Sequence, residues 1–269
     1  VEDFMLTIAA LLDRLWDDYA RLNPQALAIH QLLQSRGERV VNDHIALRTY
    51  DDPRIGLGAL AKAFTRCGYE KKGEYTFPEK KLLAQHFEHS DASLPRVFIS
   101  ELKVGEFSPG FAATVRRMVD QAPGDLPRRE DFPVAGRPWR VSWNEYESLR
   151  KESEYGAWMA AFGFRANHFT VLVNALRTFA TLQELNAFLK QHGFALNASG
   201  GEIKGSPDVY LEQSSTLADQ ADVEFLDGSH RIPACYYEFA RRHAMPDGRL
   251  YSGFVEKSAD RIFESTNKR

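Results

Sequence analysis

A weak internal repeat constrains the fold of this chain more than any other feature. In the first half, the strand-like run Val40–Tyr50 leads to a segment holding Ala63-Phe64, then Gly68-Tyr69 and Gly73-Glu74. In the second half, Phe164–Asn174 leads to Ala187-Phe188, then Gly193-Phe194 and Gly201-Glu202. His44 precedes Gly68 by 24 residues, and His168 precedes Gly193 by 25. Each half then continues into several strand-like runs. The simplest architecture is α+β: paired βαβββ modules forming one sheet-lined cleft, with additional N-terminal and linking helices.

Local patterns fill in that outline. Phe4, Ile8, Leu11, Leu12, Leu15, Trp16 and Tyr19 form a 3.6-residue stripe, which predicts a helix over 3–20. Asn23-Pro24 opens a second helix that ends near Gly37. The first module is placed at 38–107, with strand Val40–Tyr50, a helix over 57–67 stopped by Gly68, and strands over 69–77, 82–88 and 96–102. Residues 108–162 link the modules: a helix from Ser108-Pro109 to about 121, a loop rich in Pro and Gly over 122–139, and one helix from the capping box Ser142-x-x-Glu145 to Gly163. The second module is placed at 163–245. It has strand Phe164–Asn174, a helix capped by Thr181-x-x-Glu184 and ended by Gly193, and strands over 194–203, 208–214, 222–226 and 232–240. A short helix is expected around 258–265. The length of 269 residues, 43% of them hydrophobic, suits one large domain or two of ordinary size, and modules sharing one cleft are expected to form a single catalytic domain over 1–269.

Charge and cysteine usage narrow the partners. Lys and Arg number 34 against 37 Asp and Glu, a net charge of −3, so no basic surplus points to nucleic acid. No stretch approaches the ~18–20 apolar residues a membrane-spanning helix needs, and Glu2, Asp3, Asp13, Asp17 and Asp18 are unlike the basic start of a signal peptide. Cys67 and Cys235 lie 168 positions apart, which makes no disulfide framework and no metal knuckle. A reduced cytoplasm is the expected location.

The repeat sets a histidine at the same place in each half, and strand alternation decides what accompanies it. His44, Ala46, Arg48 and Tyr50 share one face; His168, Thr170, Leu172 and Asn174 share another. A buried polar group without a partner costs roughly 1–3 kcal/mol, and two equivalent imidazoles facing a common cleft meet that demand by sharing a metal. Taken singly, a histidine on a strand is more often a hydrogen-bonded structural residue; the paired placement is what raises the metal reading. A third ligand should be a carboxylate from a late strand. Glu238, within Cys235-Tyr236-Tyr237-Glu238-Phe239, and Glu101, within Phe98-Ile99-Ser100-Glu101-Leu102, are the candidates, and either could instead be an ion-paired acid. Two imidazoles and a carboxylate with open positions are the facial arrangement of non-haem iron(II) oxygenases. Arg48 lies four residues beyond His44, roughly 13 Å along the strand. That places a guanidinium one substrate length from a metal, suited to the far carboxylate of a small acid; a cross-strand ion pair is the plainer alternative. His86 and His89 have opposite parity and do not form a ligand pair, and His30, His192, His230 and His243 lie at helix ends or turns.

At His44-Ile45-Ala46-Leu47-Arg48, Asn167-His168-Phe169-Thr170 and Tyr236-Tyr237-Glu238-Phe239-Ala240-Arg241-Arg242, the chain resembles the 2-oxoadipate dioxygenase/decarboxylase (2-hydroxyglutarate synthase) family. That family is a branch of the vicinal oxygen chelate, or glyoxalase-like, superfamily. Ile203-Lys204-Gly205-Ser206-Pro207, Leu211-Glu212-Gln213-Ser214-Ser215-Thr216 and the segment 258–266 match as well. The resemblance implies metal ligands at His44, His168 and Glu238, with Arg48 as the anchor for the substrate carboxylate, and leaves Glu101 a supporting or structural place. It implies Fe(II) and O2, a small 2-oxo acid such as 2-oxoadipate as substrate, and 2-hydroxyglutarate and CO2 as products. The best-known family members are considerably longer, which bears on substrate enclosure rather than on the metal site. Two other functions fit the same scaffold: a glyoxalase-like isomerase, lyase or hydrolase using Zn or Ni, which would work without O2, and a non-catalytic module that retains a small acid without metal.

Overall fold

The computed structural model describes residues 6–255; the expected helix around 258–265 and the first residues of the expected N-terminal helix lie outside that range. Helices α1 (Ile8–Leu22) and α2 (Pro24–Ser35) lead into the first module: β1 (Asn42–Tyr50), α3 (Leu57–Thr65), β2 (Glu70–Phe77), β3 (Leu82–Glu88) and β4 (Arg96–Leu102). Three helices follow, α4 (Pro109–Val119), α5 (Trp143–Glu152) and α6 (Glu154–Phe162). The second module comprises β5 (Ala166–Leu172), α7 (Leu182–Gln191), β6 (Lys204–Ser206), β7 (Leu211–Ser215), β8 (Gln220–Phe225), β9 (Gly228–Pro233) and β10 (Glu238–Arg242).

Eight strands form one sheet in the order β2-β3-β4-β1-β5-β10-β7-β6, while β8 and β9 make a separate hairpin. Within each module the first strand pairs in parallel with the last, β1 with β4 and β5 with β10, and the two first strands meet antiparallel at the centre. The result is paired βαβββ modules in one curled sheet, with a hairpin inserted before the final strand of the second.

Alternation then assigns the faces. Phe169 of β5 faces a helical layer, where Trp16 and Tyr19 of α1 pack on it with ring centroids 5.1 and 5.0 Å away. Ile45 stands beside Phe169 in register. In the same layer α3 packs on β1 and β4, and α7 on β7 and β10. His44, Ala46, Arg48, His168 and Thr170 face the opposite side, and all are buried.

Several expected elements differ in detail. The helix expected from Ser142 to Gly163 is two helices, because Ser153 is extended (φ −154°, ψ 113°) and its side chain accepts the Gly156 N–H, ending α5 and capping α6. Residues 194–203 are not a strand; an isolated bridge from Leu196 to Thr216 is all that pairs there. The run expected over 232–240 divides between β9 and β10, since the backbone of 234–237 pairs with Thr216 and Asp219 instead of a sheet neighbour. The Pro-rich stretch is a covering loop whose buried Phe132 and Trp139 rings lie 4.6 and 5.5 Å from Phe164.

Glu101, the other acid considered as a ligand, does not stand where Glu238 does. Glu238 pairs with Thr170, two residues after His168, and Ala46, two residues after His44, pairs with Phe98. Phe98 therefore holds the place equivalent to Glu238. Glu101 lies on the helical face, where it accepts the Leu57 N–H at 2.7 Å in the first turn of α3, and burial raises its carboxyl above the ordinary range. Glu101→Ala is expected to cost about 1 kcal/mol of stability through the lost cap, with metal binding unchanged; a thermal melt paired with a metal titration checks both halves.

Candidate metal centre

The two histidines meet because β1 and β5 are neighbours with His44 opposite Thr170 and His168 opposite Ala46. Their rings stand at 85° with centroids 5.4 Å apart, and the Nε2 atoms are 3.4 Å apart. On the far side of β5, β10 opens with Glu238. Its Oε1 lies 3.6 Å from His44 Nε2, and its Oε2 lies 3.3 Å from His168 Nε2. One ligand atom from each residue lies within 4.8 Å of the other two, and all three side chains are buried.

That arrangement fits a cation. Adjacent ligand atoms each about 2.1 Å from one ion sit roughly 3.0–3.5 Å apart, close to the spacings observed here. Glu238 Oε2 takes no hydrogen bond among the described residues, while Oε1 accepts from the Gln213 amide at 2.6 Å. Burial pushes the Glu238 carboxyl up to about 8 against that hydrogen bond. Burial also lowers both imidazoles, His168 further because the charges of His44 and Arg48 add to it. Neutral imidazoles offer lone pairs, and a dication held in the pocket would restore the carboxylate to its charged form.

The local backbone supplies a further layer that strand alternation does not anticipate. The β1–β5 register passes from Asn42 opposite Val171 to His44 opposite Thr170, so Asp43 is an extra residue on β1. It passes again from Ala46 opposite His168 to Leu47 opposite Ala166, so Asn167 is an extra residue on β5. Such bulges re-aim side chains. Asp43 Oδ2 lies 2.8 Å from His44 Nδ1, and Asn167 Oδ1 lies 3.1 Å from His168 Nδ1. Arg242, four residues after Glu238, grips the Asp43 carboxylate through Nε and Nη2 at 2.6 and 2.8 Å. Although burial raises that carboxyl, Arg242 and the His44 hydrogen bond hold it well below the usual carboxylate range.

Aromatic rings close the centre. Tyr236 stacks on His168 with centroids 4.8 Å apart and 26° between the planes. Phe254 meets His44 edge-on at 4.8 Å and is held there by its backbone N–H donating to the Tyr75 hydroxyl at 3.2 Å. Arg242 steadies the same segment by donating to the carbonyls of Tyr251 and Gly253. The buried His86 also packs on Phe254, with ring centroids 5.3 Å apart. It bonds to Tyr75 and Glu88 at 2.8 and 3.0 Å and does not join the three-residue group.

Arg48 is nearer than its spacing from His44 suggests. It stands two residues past Ala46, the partner of His168, or about 7 Å along the strand. Its guanidinium lies 4.8 Å from the Tyr155 ring and 5.1 Å from that of Trp158. It also lines a cleft of about 430 Å³ that opens between Lys80 and Lys81 of the β2–β3 turn and Ser153 and Glu154 before the body of α6. Of the residues the sequence singles out, His44, His168, Glu238 and Arg48 gather on one face of the sheet, while Glu101 and His86 stay outside the group. Asp43, Asn167, Gln213, Tyr236, Phe254 and Arg242 were not foreseen. For two of them a signal existed: each repeated histidine directly follows a polar residue, Asp43 or Asn167.

The family model described as 2-oxoadipate dioxygenase/decarboxylase matches residues 7–123 and 135–251. A chloroplastic 2-oxoadipate dioxygenase/decarboxylase of Arabidopsis thaliana is 34% identical over 92% of this chain and 74% of its own. The crystal structure of hydroxyglutarate synthase from Oryza sativa in complex with 2-oxoadipate is similar at a TM-score of 0.88 and 33% identity, covering 95% of this chain and 90% of that one. A structure from Shewanella frigidimarina, named as a candidate hydrolase, has a TM-score of 0.90 at 50% identity, with 93% and 98% of the two chains covered. Among the described residues, no helix is long and apolar enough to cross a membrane.

Proposed function

Because this chain belongs to the 2-oxoadipate dioxygenase/decarboxylase family, we propose that it converts a 2-oxo dicarboxylic acid such as 2-oxoadipate, with O2, to the 2-hydroxy acid one carbon shorter and CO2, using iron(II) held by His44, His168 and Glu238. The balance is complete: one oxygen atom of O2 enters the new carboxylate formed at the former keto carbon, and the other becomes the hydroxyl. The observation that carries this reading is the buried convergence of two Nε2 atoms and one carboxylate at 3.3–3.6 Å. It is supported by the relative from Oryza sativa, whose structure holds 2-oxoadipate.

Iron(II), when bound, supplies the open coordination positions and the electrons that oxidative decarboxylation requires. The chain's own side chains do the rest. Arg48, packed over the Tyr155 and Trp158 rings, binds the distal carboxylate and so fixes which carbon lies at the metal. Phe254 and Tyr236, packed on the two imidazoles, exclude water from the ligand side. Gln213 holds one oxygen of Glu238 and leaves the other directed at His168. The substrate reaches Arg48 through the cleft between the β2–β3 turn and α6. Each half of the chain contributes ligands, so the two modules act as one catalytic unit. The free thiols Cys67 and Cys235 suit a reducing cytoplasm.

Metal analysis of the purified protein followed by oxygen-electrode assays across 2-oxo acids tests the proposal. Oxygen uptake is expected only with ferrous iron and a 2-oxo acid, and fastest with dicarboxylates. Product formation undiminished under strict anaerobiosis would instead assign the site to Zn- or Ni-dependent isomerase, lyase or hydrolase chemistry. Metal binding should also stabilise the fold. At a free metal concentration 100 times Kd the gain is about 2.7 kcal/mol, so stripping with a chelator is expected to lower the melting temperature by roughly 5–10 °C.

A further inference from the structure

In a regular strand, Asp43 and His44 would face opposite sides, and so would Asn167 and His168. Both pairs instead share a side, each because its own strand carries a bulge at the residue before the histidine. A bulge breaks a sheet ladder, and here it occurs twice, at equivalent points of the two modules, with the same outcome: a side-chain oxygen at Nδ1 of the next residue, at 2.8 and 3.1 Å. We infer that Asp43 and Asn167 are positioning residues for the metal centre, each accepting the Nδ1–H of the following histidine and so directing its Nε2 lone pair toward the shared ion. The inference rests on the metal reading above and adds to it two residues that touch neither ion nor substrate.

The two supports differ in strength. An ionised carboxylate only accepts hydrogen bonds, so Asp43 admits a single tautomer of His44. Its own position is fixed by the Arg242 fork and by Arg96 Nη1 at 3.3 Å. Arg242 lies on the strand that begins with Glu238 and reaches across β5 to Asp43, which ties the carboxylate ligand to the setting of His44. Asn167 has an amide, which offers an acceptor at one end and a donor at the other, so it orients His168 less absolutely. The outer partners of metal-bound imidazoles are typically worth 10–100-fold in metal affinity.

Asn167 is the decisive position, because Asp43→Asn would also deprive two guanidinium groups of their carboxylate. The experiment titrates Co(II) alone into chelator-stripped protein without O2, reading its visible absorption, for wild type, Asn167→Ala and Asn167→Asp. Asn167→Ala is expected to raise the Kd by about 10–100-fold while the metal-free melting temperature moves by only a few degrees. Asn167→Asp, which copies the other module, should restore affinity to within a few-fold of wild type. If the alanine variant does not fold, Asn167→Leu keeps the volume, lacks the acceptor and is expected to show the same loss. An acceptor-free variant that binds as tightly as wild type, or an aspartate variant as weak as alanine, would overturn the inference alone. A wild type that binds no Co(II), or whose binding is unchanged by His168→Ala, would overturn the metal reading with it.

Discussion

His168→Ala is expected to remove stoichiometric metal binding and to lower turnover by at least about a thousandfold, equivalent to roughly 4 kcal/mol of barrier. The reason is geometric. His168 Nε2 lies 3.3 Å from Glu238 Oε2 and 3.4 Å from His44 Nε2, so it is the atom common to both contacts. With it gone, one imidazole and one carboxylate remain, too few to hold an ion firmly in a site that burial makes unfavourable for charge. The variant should still fold. The ring is buried against Tyr236, so its loss costs a few kcal/mol of packing but removes no strand or helix contact. Metal content and circular dichroism on the same sample check the two halves together, and an active variant with full metal content would contradict the assignment of His168.

Arg48→Ala is expected to separate dicarboxylic from monocarboxylic 2-oxo acids. Truncating one partner of a buried charge pair typically costs about 2–5 kcal/mol, or from ~30-fold to several thousandfold in kcat/KM. A monocarboxylate has no distal charge to lose and should change by only a few-fold. The ratio is the informative quantity, because the Arg48 charge also acts on His168 and that influence applies equally to every substrate. Arg48→Lys keeps the charge but not the planar fork or its packing over the Tyr155 and Trp158 rings; it should recover only part of the preference. Equal losses for both substrate classes would remove Arg48 from the anchoring role.

The main outline was legible because the repeat and strand parity are local properties. His44 and His168 fall at matching points of two similar segments, and parity alone places Arg48 on the His44 face. The choice between Glu101 and Glu238 was not legible from residue order, because it depends on register: Glu238 stands opposite Thr170, whereas the equivalent place in the first module belongs to Phe98. The resemblance at Tyr236-Tyr237-Glu238 points to Glu238 where spacing leaves both acids open.

Other features escaped for reasons that can be named. Ser153 is an ordinary helix-surface residue by composition, yet its extended backbone splits one expected helix into α5 and α6. The apolar run through Ala234-Cys235-Tyr236-Tyr237 resembles a strand in sequence, but its backbone is paired outside the sheet. Asp43 and Asn167 defeat the alternation rule because each occupies a bulge. Phe254 is remote from His44 in the chain, and tertiary contacts, among them the hold of Arg242 and Tyr75, bring it there.

The most direct test of the shared cation is a crystal structure of the protein loaded anaerobically with ferrous iron, with anomalous diffraction measured on both sides of the iron absorption edge. One peak should appear about 2.0–2.3 Å from His44 Nε2, His168 Nε2 and a Glu238 carboxylate oxygen. Iron located elsewhere, or no iron at that point in crystals of protein that still consumes O2 with a 2-oxo acid, would contradict it.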